Sequence, residues 1–97
     1  MGETRKARAV RALVRPDRRD EYLRLWERYS EAARELGATV RLFEDQLLPG
    51  RFLELTEHLA AEGMEAALTR AASELRRACV RREGDDVLYR EARPDAG

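Results

Sequence analysis

The segment RFLELTEH, residues 51–58, carries the only histidine of the chain together with a carboxylate on the same side of a predicted strand. Side chains alternate along a strand, so Glu54 and His58 share one face. Histidine titrates near neutrality and serves as a general base, and a nearby carboxylate can orient its ring. This spacing predicts proton transfer on a bound molecule, with His58 and Glu54 as the candidate catalytic residues. A histidine at a strand end that is hydrogen-bonded in the following loop is the alternative, and it stays open.

Two arginines and two aromatic rings are expected beside this pair. Alternation along the neighbouring strands places Arg11, Arg41 and Phe43 on the same face as Phe52. Guanidinium groups bind oxygen-rich anions in a fork geometry, and the rings suit a planar ligand. These four residues are therefore the candidate substrate-binding residues for a small aromatic molecule. The alternative is that the arginines pair with carboxylates across a dimer interface.

Neither a metal nor an organic cofactor is expected. One histidine, one cysteine and scattered carboxylates lack any recognised spacing of metal ligands. The chain also lacks a nucleophile elbow, a phosphate-binding loop and a glycine-rich dinucleotide motif.

Length and charge limit the possible partners. Ninety-seven residues predict one domain, 1–97, with an ordered core of about 7–93. Lys plus Arg and Asp plus Glu number 19 each, so no net charge attracts the chain to nucleic acid or to an acidic membrane surface. No apolar run approaches membrane-spanning length, and a single cysteine excludes an internal disulfide. The cytoplasm is the expected location.

Alternating apolar residues predict three strands before the second helix. They are ARAVRALVR (7–15), ATVRLFEDQ (38–46) and RFLELTEH, and the last two form a hairpin across the LLPG turn. In this interpretation Leu53 and Leu55 point to the core, so Glu54 and His58 point to the opposite face.

Helical spacing predicts two helices and leaves a short strand at the end. Helix one runs to about Leu36, with Asp17 or Asp20 as its cap and a stop at Gly37. Its apolar stripe consists of Tyr22, Trp26, Tyr29, Ala33 and Leu36. Helix two carries the stripe Met64, Leu68, Ala71, Leu75 and Cys79. VLYREAR (87–93) is the fourth strand, and the face taken by Tyr89 stays open.

The order β-α-β-β-α-β predicts an α+β, ferredoxin-like sandwich. Right-handed crossovers place both helices on one face of a four-stranded antiparallel sheet. The other face carries Leu13, Phe43 and Phe52 among charged residues, so it is too apolar to remain in water and too charged to be a dry core. Two copies packed sheet to sheet would bury it, and we therefore expect a homodimer.

Two segments of the chain resemble a known group. They are RALVRPDRRDEYLRLWERYSEAARELGA (11–38) and VRLFEDQLLPGRFLELTEHLA (40–60), and the likeness extends over about 7–93. The pattern is similar to the dimeric α+β barrel superfamily, which includes antibiotic-biosynthesis-monooxygenase-like, NIPSNAP-like and EthD-like proteins. This resemblance implies two sheets paired into a barrel, with ligands held between sheet and helices or inside the barrel. It also implies oxidation of aromatic polyketides without metal or flavin.

Two functions remain open at this point. One is cofactor-independent, monooxygenase-like chemistry on a small aromatic or polyketide-like molecule. The other is a non-catalytic ligand-binding or structural dimerisation module. RNA-recognition domains share the element order, but Glu54 in the third strand and the neutral charge argue against RNA binding. An enzyme requires His58 and an arginine to converge on one pocket.

Overall fold

The computed structural model describes residues 4–92, in which the predicted order of elements is present with one additional strand. The strands are β1 (Arg5–Leu13), β2 (Thr39–Glu44), β3 (Arg51–Leu59), β4 (Arg81–Glu83) and β5 (Tyr89–Arg90). The helices are α1 (Arg19–Glu35), α2 (Met64–Ala71) and α3 (Ser73–Ala78). The predicted α+β class, with helices on one face of an antiparallel sheet, is confirmed.

The sheet has the order β2-β3-β1-β4, and all of its strand pairs are antiparallel. The central pair places Val10 opposite Glu54 and Ala12 opposite Phe52. β5 pairs with the beginning of β1, where Ala7 lies opposite Tyr89. β1 is therefore covered by β3 along one edge and by two short strands in succession along the other.

Helix α1 packs four of its five predicted stripe residues onto the sheet, whereas the fifth, Leu36, follows the helix and is 38% exposed. Tyr22, Trp26, Tyr29 and Ala33 are buried, and Trp26 is 8% exposed. The predicted cap is wrong, because Arg18 occupies the N-cap position without a side-chain hydrogen bond. A 3₁₀ turn over Pro16–Arg18 leads into the helix instead. Packing of the stripe therefore stabilises α1 more than capping does.

The predicted faces of β3 are reversed. Phe52, Glu54, Thr56 and His58 are buried beneath the helices, whereas Leu53 and Leu55 lie on the sheet face that no helix covers. The register explains this, because residues directly opposite each other in a strand pair share a face and Glu54 lies opposite the buried Val10. Leucines occupy the open face and a carboxylate the inner one, so apolar alternation identified the wrong side.

The C-terminal third also differs from its prediction. Helix two is interrupted at Ala72 and ends at Ala78, and after two further residues Arg81–Glu83 form β4 in the fourth position of the sheet. The predicted strand 87–93 is reduced to Tyr89–Arg90, and Arg93 lies outside the described residues. Tyr89 takes the open face with its partner Ala7.

Gly84 follows β4 and holds it against β1. Its φ is +89°, and a Cβ at this position would lie 2.7 Å from the carbonyl oxygen of Ala9. Only glycine fits such a close approach in the left-handed region. The turn that begins at Gly84 therefore ends β4 directly beside the central strand.

The β2–β3 hairpin is tied to the start of α1 by an ion pair. Arg19 donates two hydrogen bonds to Glu44, at 3.0 and 2.6 Å, and the backbone N–H of Gly50 donates a third at 3.0 Å. The hydrogen bonds from Arg19 and then from Gly50 lower the pKa of Glu44 to about 2. Glu44 therefore remains ionised and keeps the hairpin close to the helix.

Candidate functional site

Glu54 lies at the centre of a polar cluster between the sheet and the helices. The residue is 3% exposed. Arg82 donates from two guanidinium nitrogens to the two carboxylate oxygens, at 2.9 and 3.0 Å. The hydroxyl of Tyr22 donates to the same carboxylate at 2.5 Å. Burial, followed by the charge of Glu54, raises the pKa of Tyr22 far above its ordinary value, so Tyr22 keeps the proton that it donates.

Arg82 reaches this cluster from β4, the strand that periodicity did not predict. Its side chain is 8% exposed. Burial alone would lower the pKa of Arg82, but the charge and hydrogen bonds of Glu54 outweigh burial and the pKa is raised. Asp85 lies 3.6 Å from its Nε and adds a second negative charge. The buried guanidinium is therefore charged and matched by carboxylates.

His58 is buried beside the cluster but does not contact Glu54. It is 3% exposed, and its Nδ1 lies 2.9 Å from the carbonyl oxygen of Leu59. A carbonyl only accepts, so Nδ1 carries a proton and donates it to this bond. The ring is thus oriented by the backbone carbonyl of Leu59, which belongs to β3 and not to the following loop, and no hydrogen bond joins His58 to Glu54 within residues 4–92. In the neutral ring Nε2 carries no proton, and its lone pair is free because it makes no hydrogen bond with residues 4–92.

A small cavity joins these groups beneath the helices. Its volume is about 20 Å³, enough for one water-sized group. The hydroxyls of Tyr29 and Thr56, 2.7 Å apart, close one part of its wall. Its polar lining comes mainly from the sheet and α1: Arg8, Tyr29, Glu54, Thr56, His58 and Arg82. The short helices α2 and α3 close the opposite side through Leu68, Ala72 and Arg76.

The structure separates the residues that the sequence placed together. His58 and Glu54 lie on the helix-covered face, and Phe52 packs there against Tyr22, with ring centroids 4.7 Å apart. The register puts three of the other candidates on the open face: Arg11, Arg41 and Phe43. The six predicted residues therefore do not form one site. The arginines that line the cavity together with His58 are not Arg11 and Arg41.

Sequence reasoning missed Arg8 and Arg82 at the cavity. Arg8 precedes Val10 by two residues on β1, so the two side chains share a face, and Arg8 lies opposite Thr56. Its face could therefore have been inferred once Val10 was placed in the core. For Arg82 no local signal existed, because it lies in an arginine-rich stretch that continues a helical pattern. The two arginines were therefore missed for different reasons.

Residues 4–92 contain neither a cluster of metal ligands nor a helix that could span a membrane. In this part of the chain, no group of three or more His, Cys, Asp or Glu side chains lies close enough together to hold a metal ion. Over the same residues, none of the helices combines the length and apolar character that crossing a membrane requires.

Neither a protein-family model nor a curated protein matches the chain at the level of sequence. Solved structures do match. A candidate antibiotic biosynthesis monooxygenase from Nitrosomonas europaea has a TM-score of 0.71 at 18% identity, covering 97% of this chain and 95% of that one. One from Caulobacter crescentus CB15 has a TM-score of 0.69 at 10% identity, covering 96% and 92%. One from Deinococcus radiodurans has a TM-score of 0.60 at 18% identity, covering 96% and 94%.

These matches establish the class of fold. Over nearly its whole length the chain has the ferredoxin-like fold of solved structures named as antibiotic biosynthesis monooxygenases, which confirms the fold that the resemblance implied. Identities of 10–18% in the three structures above carry the fold and no residue roles.

Proposed function

We propose that the chain is a homodimeric α+β barrel protein in which each protomer binds a small aromatic or polyketide-like molecule in the helix-side cavity and oxidises it with O₂. The chemistry is monooxygenase-like and requires no resident cofactor. The location is the cytoplasm. The observation that carries the proposal is the convergence of His58 and a guanidinium group, that of Arg8, on one covered cavity.

The cavity must widen before such a ligand enters. An aromatic ring needs about 150 Å³, whereas the cavity holds about 20 Å³. The helical wall is the part that can move, because α2 buries only Leu68 and α3 only Leu75 and Ala78. The break at Ala72 divides this wall into two short pieces. Outward displacement of α2 and α3 would therefore admit the ligand and leave the sheet unchanged.

The residues fit one balanced reaction. The substrate is a ketone whose neighbouring CH₂ group is activated by an aromatic ring. Nε2 of His58 takes a proton from the CH₂ group, and the resulting enolate carbon forms a bond to O₂. The O–O bond then breaks: one oxygen leaves as water with the two hydrogens of the CH₂ group, and the other remains as a carbonyl. R₂CH₂ and O₂ thus give R₂C=O and H₂O, with four electrons passing from carbon to oxygen.

Electrostatics supports the formation of an enolate in this cavity. The enolate carries a negative charge, and the fixed guanidinium cation of Arg8 beside it lowers the barrier to its formation most effectively in a covered site. Arg82 is already occupied by Glu54, so Glu54 acts as a structural counter-ion and not as the partner of the base. His58 retains the proton-transfer role proposed from the sequence.

The homodimer is supported by the open face. Leu13 is 45% exposed, Phe43 49% and Tyr89 56%, all on the side of the sheet without helices. Arg11 and Arg41 lie among them. A second copy packed sheet to sheet would remove these apolar groups from water, and self-complementary packing of this kind is how two-fold dimers form.

A non-catalytic binding or structural module is the second candidate. One observation favours it: the polar groups of the cluster largely satisfy one another, since Glu54 pairs with Arg82 and Tyr22, and Tyr29 with Thr56. A cluster that is complete without a ligand can serve folding alone. The experiment on His58 separates the two candidates.

Replacing His58 with glutamine tests the enzyme. Oxygen consumption is measured with an O₂ electrode in the presence of anthrone, an aromatic ketone with an activated CH₂ group. We expect the wild type to consume oxygen faster than buffer, and His58→Gln to lower kcat by about 10²-fold because a general base is lost. Glu57→Gln, the next position on the opposite face of β3, is the control and should retain activity.

Circular dichroism establishes that the His58 variant is folded. If the wild type consumes no oxygen above the buffer rate, or His58→Gln is as active as Glu57→Gln, the enzyme proposal is wrong. The non-catalytic module would then be the better account.

A further inference from the structure

The cavity contains one guanidinium group without a counter-charge. Six charged side chains line it: Arg8, Glu54, Glu65, Arg76, Arg82 and Asp85. Glu54 pairs with Arg82, and Asp85 lies 3.6 Å from Arg82 and 3.9 Å from Arg76. Glu65 is exposed and solvated. Within residues 4–92, Arg8 makes no ion pair, so it is the one guanidinium group of the lining whose charge is not held by direct contact with a carboxylate.

The hydrogen bonds of Arg8 are incomplete as well. Its Nε is buried and has no partner in the described part of the chain. Its Nη1 makes one long contact, 3.5 Å, with the hydroxyl of Thr69. A buried donor without an acceptor is costly, and more so when it carries charge. An acceptor from outside the chain, either a water molecule or an oxygen of a ligand, is therefore expected at this position.

The position of Arg8 and the size of the cavity both indicate which kind of acceptor fits there. Arg8 lies opposite Thr56 on the helix-covered face and borders the cavity together with His58. The volume of about 20 Å³ already accommodates one oxygen atom beside Arg8, and it is the rest of the ligand that requires the helices to move outward. A guanidinium group binds an anionic oxygen more strongly than a neutral one.

We infer that Arg8 binds the negative charge of the ligand, and that the ligand therefore presents an anionic oxygen, as a carboxylate or an enolate, to the cavity. The inference rests on the proposed ligand site and specifies its substrate class. Arg8 takes the role that the sequence gave to Arg11 or Arg41, which lie on the other face. An enolate formed by His58 would develop its charge beside Arg8.

Isothermal titration calorimetry with matched pairs of compounds tests this inference. Salicylate and salicylamide share a ring and a hydroxyl but differ in charge. The enolate of 1,3-cyclohexanedione is compared with its methyl enol ether, which cannot ionise. In the wild type we expect at least one anion to bind tenfold or more tightly than its neutral counterpart. A preference in only one pair distinguishes a carboxylate ligand from an enolate.

Arg8→Gln should remove that preference and leave the affinity of the neutral compounds unchanged. Arg34→Gln, which changes an exposed arginine of α1, is the control and should behave as the wild type does. Equal affinity for anion and neutral compound in the wild type would overturn the inference, and this comparison needs no variant. Survival of the preference in a folded Arg8→Gln would also overturn it. Failure of all four compounds to bind would instead overturn the ligand site itself, and with it the proposed function.

Discussion

Replacing Arg82 with methionine is expected to lower the free energy of unfolding by about 3–5 kcal/mol, because a buried charge loses its partner. Glu54, 3% exposed, would keep only the hydrogen bond from Tyr22. The side chain of methionine fills much of the space of arginine, so the loss reports charge more than volume. Urea-induced unfolding followed by circular dichroism measures the change.

Two further variants make the test specific. Arg81→Met changes the neighbouring arginine, whose side chain is 72% exposed, and should cost at most about 1 kcal/mol. Arg82→Met combined with Glu54→Leu removes both charges and should recover most of the lost stability, since an apolar pair can replace a buried ion pair. A double variant no more stable than Arg82→Met alone, or a single variant as stable as Arg81→Met, would contradict the account of the cluster.

Trp26→Ala is the second large expected effect, at about 3–5 kcal/mol, because truncation of a buried tryptophan leaves a cavity. Trp26 is 8% exposed, and its ring centroid lies 5.3 Å from that of Tyr29, whose hydroxyl borders the ligand cavity. Thermal unfolding compares it with Arg24→Ala, an exposed position of the same helix, which should change stability by less than about 0.5 kcal/mol. An unchanged melting temperature for Trp26→Ala would show that the α1 register is wrong.

The first half of the fold could be predicted because its signals are local. In α1 the stripe of Tyr22, Trp26, Tyr29 and Ala33 recurs with helical spacing, and no competing face is apolar. In β1 and directly after it the small apolar residues Val10, Ala12 and Val14 alternate with arginines and one leucine, and they are buried as expected. Such patterns depend only on residues that are close in the sequence, at most about five positions away.

The candidate site could not be predicted in the same way. Both faces of β3 carry apolar groups, Phe52 on one and Leu53 and Leu55 on the other. Alternation therefore identifies a strand but does not show which of its two faces is buried. Burial of Glu54 becomes possible only because Arg82, 28 positions later, supplies its counter-charge. That contact depends on tertiary structure, and β4 itself is three residues long in a stretch with helical character.

Static light scattering tests the central claim about the sheet, that its open face is the interface of a homodimer and its helix-covered face is not. At micromolar concentration the account predicts a mass twice that of the 11.2 kDa chain. Phe43→Asp, on the open face, should give the monomer, whereas Leu36→Asp, at the end of α1, should remain dimeric. A wild type that scatters as a monomer even at high concentration would contradict the account.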